Sequence, residues 1–140
     1  TPARPSAPAN DLLDVPVLGR VAAGQPILAI EESDDTVRMD PALLGHRGEV
    51  FALRIVGESM IEDGIFDGDY VFVRKSATAN RGDTVIAMID GEATCKRYYP
   101  ETDRIRFEPA NQAMEPIYVH RREYRETMLL GQVVAVFRQL

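Results

Sequence analysis

Ser59, Lys96 and Thr94 are the residues of this chain whose types and spacing could together make an activated nucleophile. Ser59 stands in Gly57-Glu58-Ser59-Met60, after the apolar run EVFALRIV and before an aspartate-rich turn, so it falls at a strand end where the backbone is accessible. A serine hydroxyl needs a base to take its proton, and the usual His/Asp partnership is hard to assemble from His46 and His120 alone. Gly57 to Ile61 is not a nucleophile elbow either, because the second glycine of that motif is missing. A lysine can serve instead if burial disfavours its ammonium form. Lys96 lies in ATCKRYY, where a period of two puts Thr94, Lys96 and Tyr98 on one face and Cys95 and Arg97 on the other. Thr94 is then placed to hydrogen-bond the amine, and Cys95 is turned away into a packing role.

Each of these residues also has a plainer reading. A lysine in a strand is usually a solvated edge charge, a threonine there a surface residue, and a serine in a turn a structural one. Glu62, Asp63, Asp67 and Asp69 invite a hard cation, but the order of a calcium loop is absent and turn chemistry explains the aspartates. No metal site and no cofactor is expected. The pairing of Ser59 with Lys96 is what favours chemistry.

The elements that must position these residues are short β-branched runs: VPVLGRV, EVFALRIV, YVFVRK, DTVIAMI, ATCKRYY, RIRFEP, PIYVH and MLLGQVVAVF. Asp67-Gly68-Asp69, Arg81-Gly82-Asp83 and Asp90-Gly91-Glu92 separate apolar runs as hairpin turns do. The expectation is an all-β fold of antiparallel sheets with at most one or two short helical turns, one of them at Asp40-Pro41-Ala42-Leu43-Leu44. Residues 1–14, opening TPARPSAPAND, read as a Pro/Ala-rich linker, and 15–140 as one domain, the most that 140 residues allow.

Sixteen basic against twenty-two acidic residues give a net charge of −6, which argues against nonspecific attraction to a polyanion. Any DNA binding would belong to another domain. A single cysteine excludes an internal disulfide and fits a cytoplasmic chain, and no apolar run is long enough to span a bilayer. The absence of a leading methionine or signal segment suggests a fragment or a processed chain.

Four ordered motifs resemble the LexA/signal-peptidase group of Ser-Lys proteases, and within it the C-terminal domain of LexA-type repressors. They are Gly19-Arg20-Val21-Ala22-Ala23-Gly24-Gln25-Pro26, Leu53 to Met60, Asp67-Gly68-Asp69, and Lys96-Arg97 with Thr94 upstream; the likeness spans Val15 to Leu140. The resemblance implies strongly bent sheets, Ser59 as nucleophile, Lys96 as general base, and the backbone amides of Ser59 and Glu58 as oxyanion donors. It also implies a substrate within the chain, the Ala23–Gly24 bond, with Val21 and Ala22 recognised in the cleft. The slim side chains of Val21-Ala22-Ala23-Gly24 suit a narrow cleft on their own account.

The resemblance further implies an SOS-response repressor whose cleavage is stimulated by the RecA filament on single-stranded DNA, which favours docking of the cleavage loop without supplying catalytic groups. Operator DNA would be read only by an N-terminal domain absent from this chain, and a homodimer would form through the C-terminal strand region, Thr127 to Phe137. Alternatives of the same fold are a self-processing polymerase accessory subunit and an inert dimerisation module. Gly-Arg-Val-Ala-Ala-Gly favours the repressor over the first, and Lys96 argues against the second. Signal peptidase would need a membrane segment that the chain does not carry.

Overall fold

A computed structural model describes residues 13–22, 36–40, 49–122 and 126–138. They form nine strands: β1 (Leu13–Ala22), β2 (Thr36–Met39), β3 (Val50–Val56), β4 (Tyr70–Lys75), β5 (Thr84–Ile89), β6 (Glu92–Pro100), β7 (Arg104–Glu108), β8 (Ile117–His120) and β9 (Thr127–Phe137). Among the described residues the only helical element is a single 3-10 turn, Ile61–Asp63. The all-β expectation therefore holds, and eight of the nine strands coincide with the β-branched runs of the sequence. β2 was not among those runs. The expected helical turn after Asp40 lies outside the described residues.

The strands join in the order β2-β1-β3-β4-β9-β5-β6-β7-β8. Every pairing is antiparallel except β1 with β3, which run parallel, so the sheet is mixed. The hinge of the sheet is β9. Its first half pairs with β5 as far as Gln132, and from Gly131 to Phe137 it pairs with β4. Register shifts on both sides of this handover bend the strand, as bulges do. Gly131 is required there, because a Cβ would stand 2.3 Å from the Arg74 carbonyl oxygen.

The bend folds the two lobes onto one core. Phe51, Leu53 and Ile55 of β3 and Val71 and Val73 of β4 pack with Ile86 of β5 and Ala93 and Cys95 of β6. Consecutive buried residues in β4 and β5 show that both faces are covered: Phe72 turns away to a second cluster with Val15 and Val17, and Val85 and Ala87 to a third with Phe107. β1 approaches β6 although they stand five places apart in the sheet order, so the lobes close on each other.

Candidate active site

β3 ends at Val56, and the chain then turns through Gly57, whose φ of 100° lies in the region that favours glycine. The loop from Gly57 to Met60 is held at several points. The Gly57 amide donates to Asp67 Oδ1 at 2.8 Å, and Asn111 Nδ2 donates to the Glu58 carbonyl at 2.8 Å. Met60, 1% exposed, anchors the loop in the central core. The 3-10 turn that follows is tied to β6 by Arg97, whose Nε donates to Asp63 Oδ2 at 2.9 Å. The Glu62 carboxylate accepts from the Gln112 amide at 2.8 Å. Among the described residues, the amides of Glu58 and Ser59 donate to no other group.

These anchors set Ser59 against β6. Its Oγ donates to the Cys95 carbonyl at 3.5 Å, the outer limit of a hydrogen bond. β7 pairs with β6 only from Arg97 onward, so the serine loop meets β6 before that hairpin begins. The next residue is Lys96, 2% exposed, whose Nζ donates to Thr94 Oγ1 at 2.6 Å; Thr94 is itself buried. Val85 lies directly across the ladder from Lys96, and Tyr98, on the same face, packs against Phe107. Among the described residues no carboxylate pairs with Lys96. Burial pushes its ammonium down from the ordinary 10.5, because the charged form loses its water. Cys95 points into the central core, where burial pushes its thiol up to about 12, so it carries no thiolate at neutral pH.

Ser59, Thr94 and Lys96 are thus brought to one place, with the Glu58 backbone beside them. Val21 and Ala22 form the last pairs of β1, in register with Ile55 and Val56, which delivers the chain to a point three residues before Ser59 along the neighbouring strand. Ala23, Gly24 and Gln25 lie outside the described residues. Asp67, Asn111 and the Asp63–Arg97 pair are positioning groups that the sequence did not reveal; Asn111 is fifty-three residues from its partner. The four carboxylates weighed as cation ligands are each engaged: Asp69, 2% exposed, pairs with Arg138, which holds its carboxyl below the usual range. Among the described residues no group of His, Cys, Asp and Glu could hold a metal ion, and no helix is long and apolar enough to cross a membrane.

Residues 16–134 match the family model described as Peptidase S24-like. The chain is 59% identical over 133 residues to a LexA repressor of Myxococcus xanthus (strain DK1622), covering 94% of this chain and 60% of that protein. It is 56% identical over 140 residues to one from Anaeromyxobacter sp. (strain Fw109-5), all of this chain and 61% of the relative. It is 54% identical over 138 residues to one from Sorangium cellulosum (strain So ce56), 96% of this chain and 60% of the relative. The chain therefore spans about three fifths of the length of these curated relatives.

Proposed function

The chain belongs to the peptidase S24-like family, and from that membership we propose that it is the self-cleaving, dimerising C-terminal part of an SOS-response transcriptional repressor. The observation that carries the reading is a buried lysine, with no carboxylate paired to it among the described residues, hydrogen-bonded to Thr94 and one residue from the carbonyl that holds the Ser59 hydroxyl.

In this mechanism neutral Lys96 removes the Ser59 proton as Oγ attacks the Ala23 carbonyl carbon. The Ser59 and Glu58 amides stabilise the oxyanion, and the C–N bond to Gly24 breaks as Lys96 returns the proton to the leaving amine. Water, deprotonated by the same lysine, then hydrolyses the Ala23 ester and frees Ser59. Thr94 fixes the amine through a hydrogen bond. The register of Val21 and Ala22 beside the end of β3 supports a substrate carried on β1, because the chain enters the serine loop's neighbourhood already extended.

A lysine at its ordinary value, ~10.4, would be neutral in only about one molecule in a few thousand at pH 7. Docking of Val21 to Gly24 excludes water from Lys96, so docking and deprotonation are coupled. The RecA filament on single-stranded DNA acts as coprotease by favouring the docked state. Cleavage separates an N-terminal operator-reading domain from the dimer, and a monomeric reader loses the second half-site. The dimer uses the C-terminal half of β9, which pairs with β4 on one side, no longer with β5 beyond Gln132, and exposes Val136.

Mass spectrometry of the purified chain after incubation at neutral and alkaline pH tests this reading. Fragments ending at Ala23 and beginning at Gly24 are expected from the parent and absent from Ser59→Ala and Lys96→Ala. A parent that stays whole under every condition, with the RecA filament present, leaves an inert dimerisation module.

A further inference from the structure

Arg138, immediately past β9, is far from Ser59 in sequence yet joined to its loop by a continuous set of contacts. Its Nε donates to Asp69 Oδ1 at 2.8 Å and its Nη2 to Oδ2 at 2.7 Å, a two-pronged pair with a carboxylate that is itself buried. The same Nη2 donates to the Gly64 carbonyl at 2.9 Å, and the guanidinium lies over the Phe66 ring, 4.9 Å from its centre. Asp69 Oδ2 also accepts from the Phe66 amide at 2.8 Å. The turn from Gly64 to Asp69 is therefore gripped along its length by one side chain. That turn carries Asp67, which holds the Gly57 amide, and its backbone returns to β3 through Gly68 and Asp69 on Ile55.

We propose that Arg138 is a positioning residue for Ser59, acting through Asp69 and the Gly64–Asp69 turn to hold Asp67 under the start of the serine loop. The chemistry fits the task. A planar fork fixes the direction as well as the distance of a carboxylate, which a flexible ammonium does not. Its two-pronged grip on the buried Asp69 carboxylate leaves the turn one arrangement, and Asp67 passes that arrangement to Gly57. The inference rests on the self-cleavage reading for its kinetic consequence, but the tether itself does not.

The test uses the whole 140-residue chain with Arg138→Gln and Arg138→Lys, each followed by the rate of self-cleavage from neutral to alkaline pH and by amide hydrogen exchange. Arg138→Gln is expected to lower the rate at every pH by roughly tenfold to a hundredfold, the cost of a nucleophile displaced by a fraction of an ångström to an ångström. The pH midpoint stays where Lys96 sets it. Amides of 57–60 exchange faster while those of β5 and β6 keep their protection, and Arg138→Lys recovers only part of the rate. An unchanged rate, a moved midpoint, or protection lost equally from β5, β6 and the serine loop overturns the proposal. A parent chain that never cuts itself would instead sink the self-cleavage reading, and the exchange measurement would still decide whether Arg138 holds the loop.

Discussion

Lys96 is costly where it lies, and the cost has a measurable sign. A charged amine 2% exposed, with Thr94 as its hydrogen-bond partner and no carboxylate paired with it among the described residues, destabilises the fold while it stays protonated. Its folded-state value is lowered from 10.5, so between that lowered value and about 10.5 the unfolded chain holds more protons than the folded one, and stability rises with pH. Lys96→Met, which keeps the length and removes the charge, should therefore stabilise the protein at neutral pH by about 1–4 kcal/mol, the range seen when buried charges give way to apolar side chains. The advantage should shrink as pH climbs towards 10.5. Cys95 acts with the opposite sign, because a thiol raised from 9.0 to about 12 loses stability for the fold across that interval; it is common to both proteins and largely cancels. Thermal unfolding of the pair at several pH values measures the difference, and a gap that widens with pH would contradict the burial of a cation.

At the scale of the elements, the site depends on how β9 hands over from β5 to β4. Gly131→Ala places a methyl group 2.3 Å from the Arg74 carbonyl and 2.6 Å from a Val73 methyl, both in the strand it must pair with. A loss of about 1–3 kcal/mol is expected, as for other overpacked interiors. Urea unfolding would show it, and an unchanged midpoint would mean that the strands separate there without penalty. Local pattern made most of the strands legible, because runs such as YVFVRK and DTVIAMI state their own conformation, and a period of two was enough to put Thr94 and Lys96 on one face. β2 escaped because Thr36–Met39 is four residues of mixed polarity whose conformation comes from pairing with β1. The parallel register of β1 on β3 and the Asn111 and Arg138 contacts were equally invisible. They join residues far apart in the chain, and no local spacing encodes them.

At the scale of the whole molecule, the account requires a dimer that survives cleavage and a site that assembles inside one chain. Val136, 43% exposed on the C-terminal half of β9, is the side chain to challenge: Val136→Asp should shift sedimentation from dimer towards monomer without altering the rate at which the chain cuts itself. A variant that stays dimeric would move the interface elsewhere. The central claim is that burial of Lys96 readies it to take the Ser59 proton, and the pH dependence of unassisted cleavage tests it most directly. The account predicts a first-order rate that rises with pH and levels off below lysine's ordinary value of 10.5. A rate that keeps climbing through 10.5 without levelling off, as an unperturbed lysine would dictate, would contradict it.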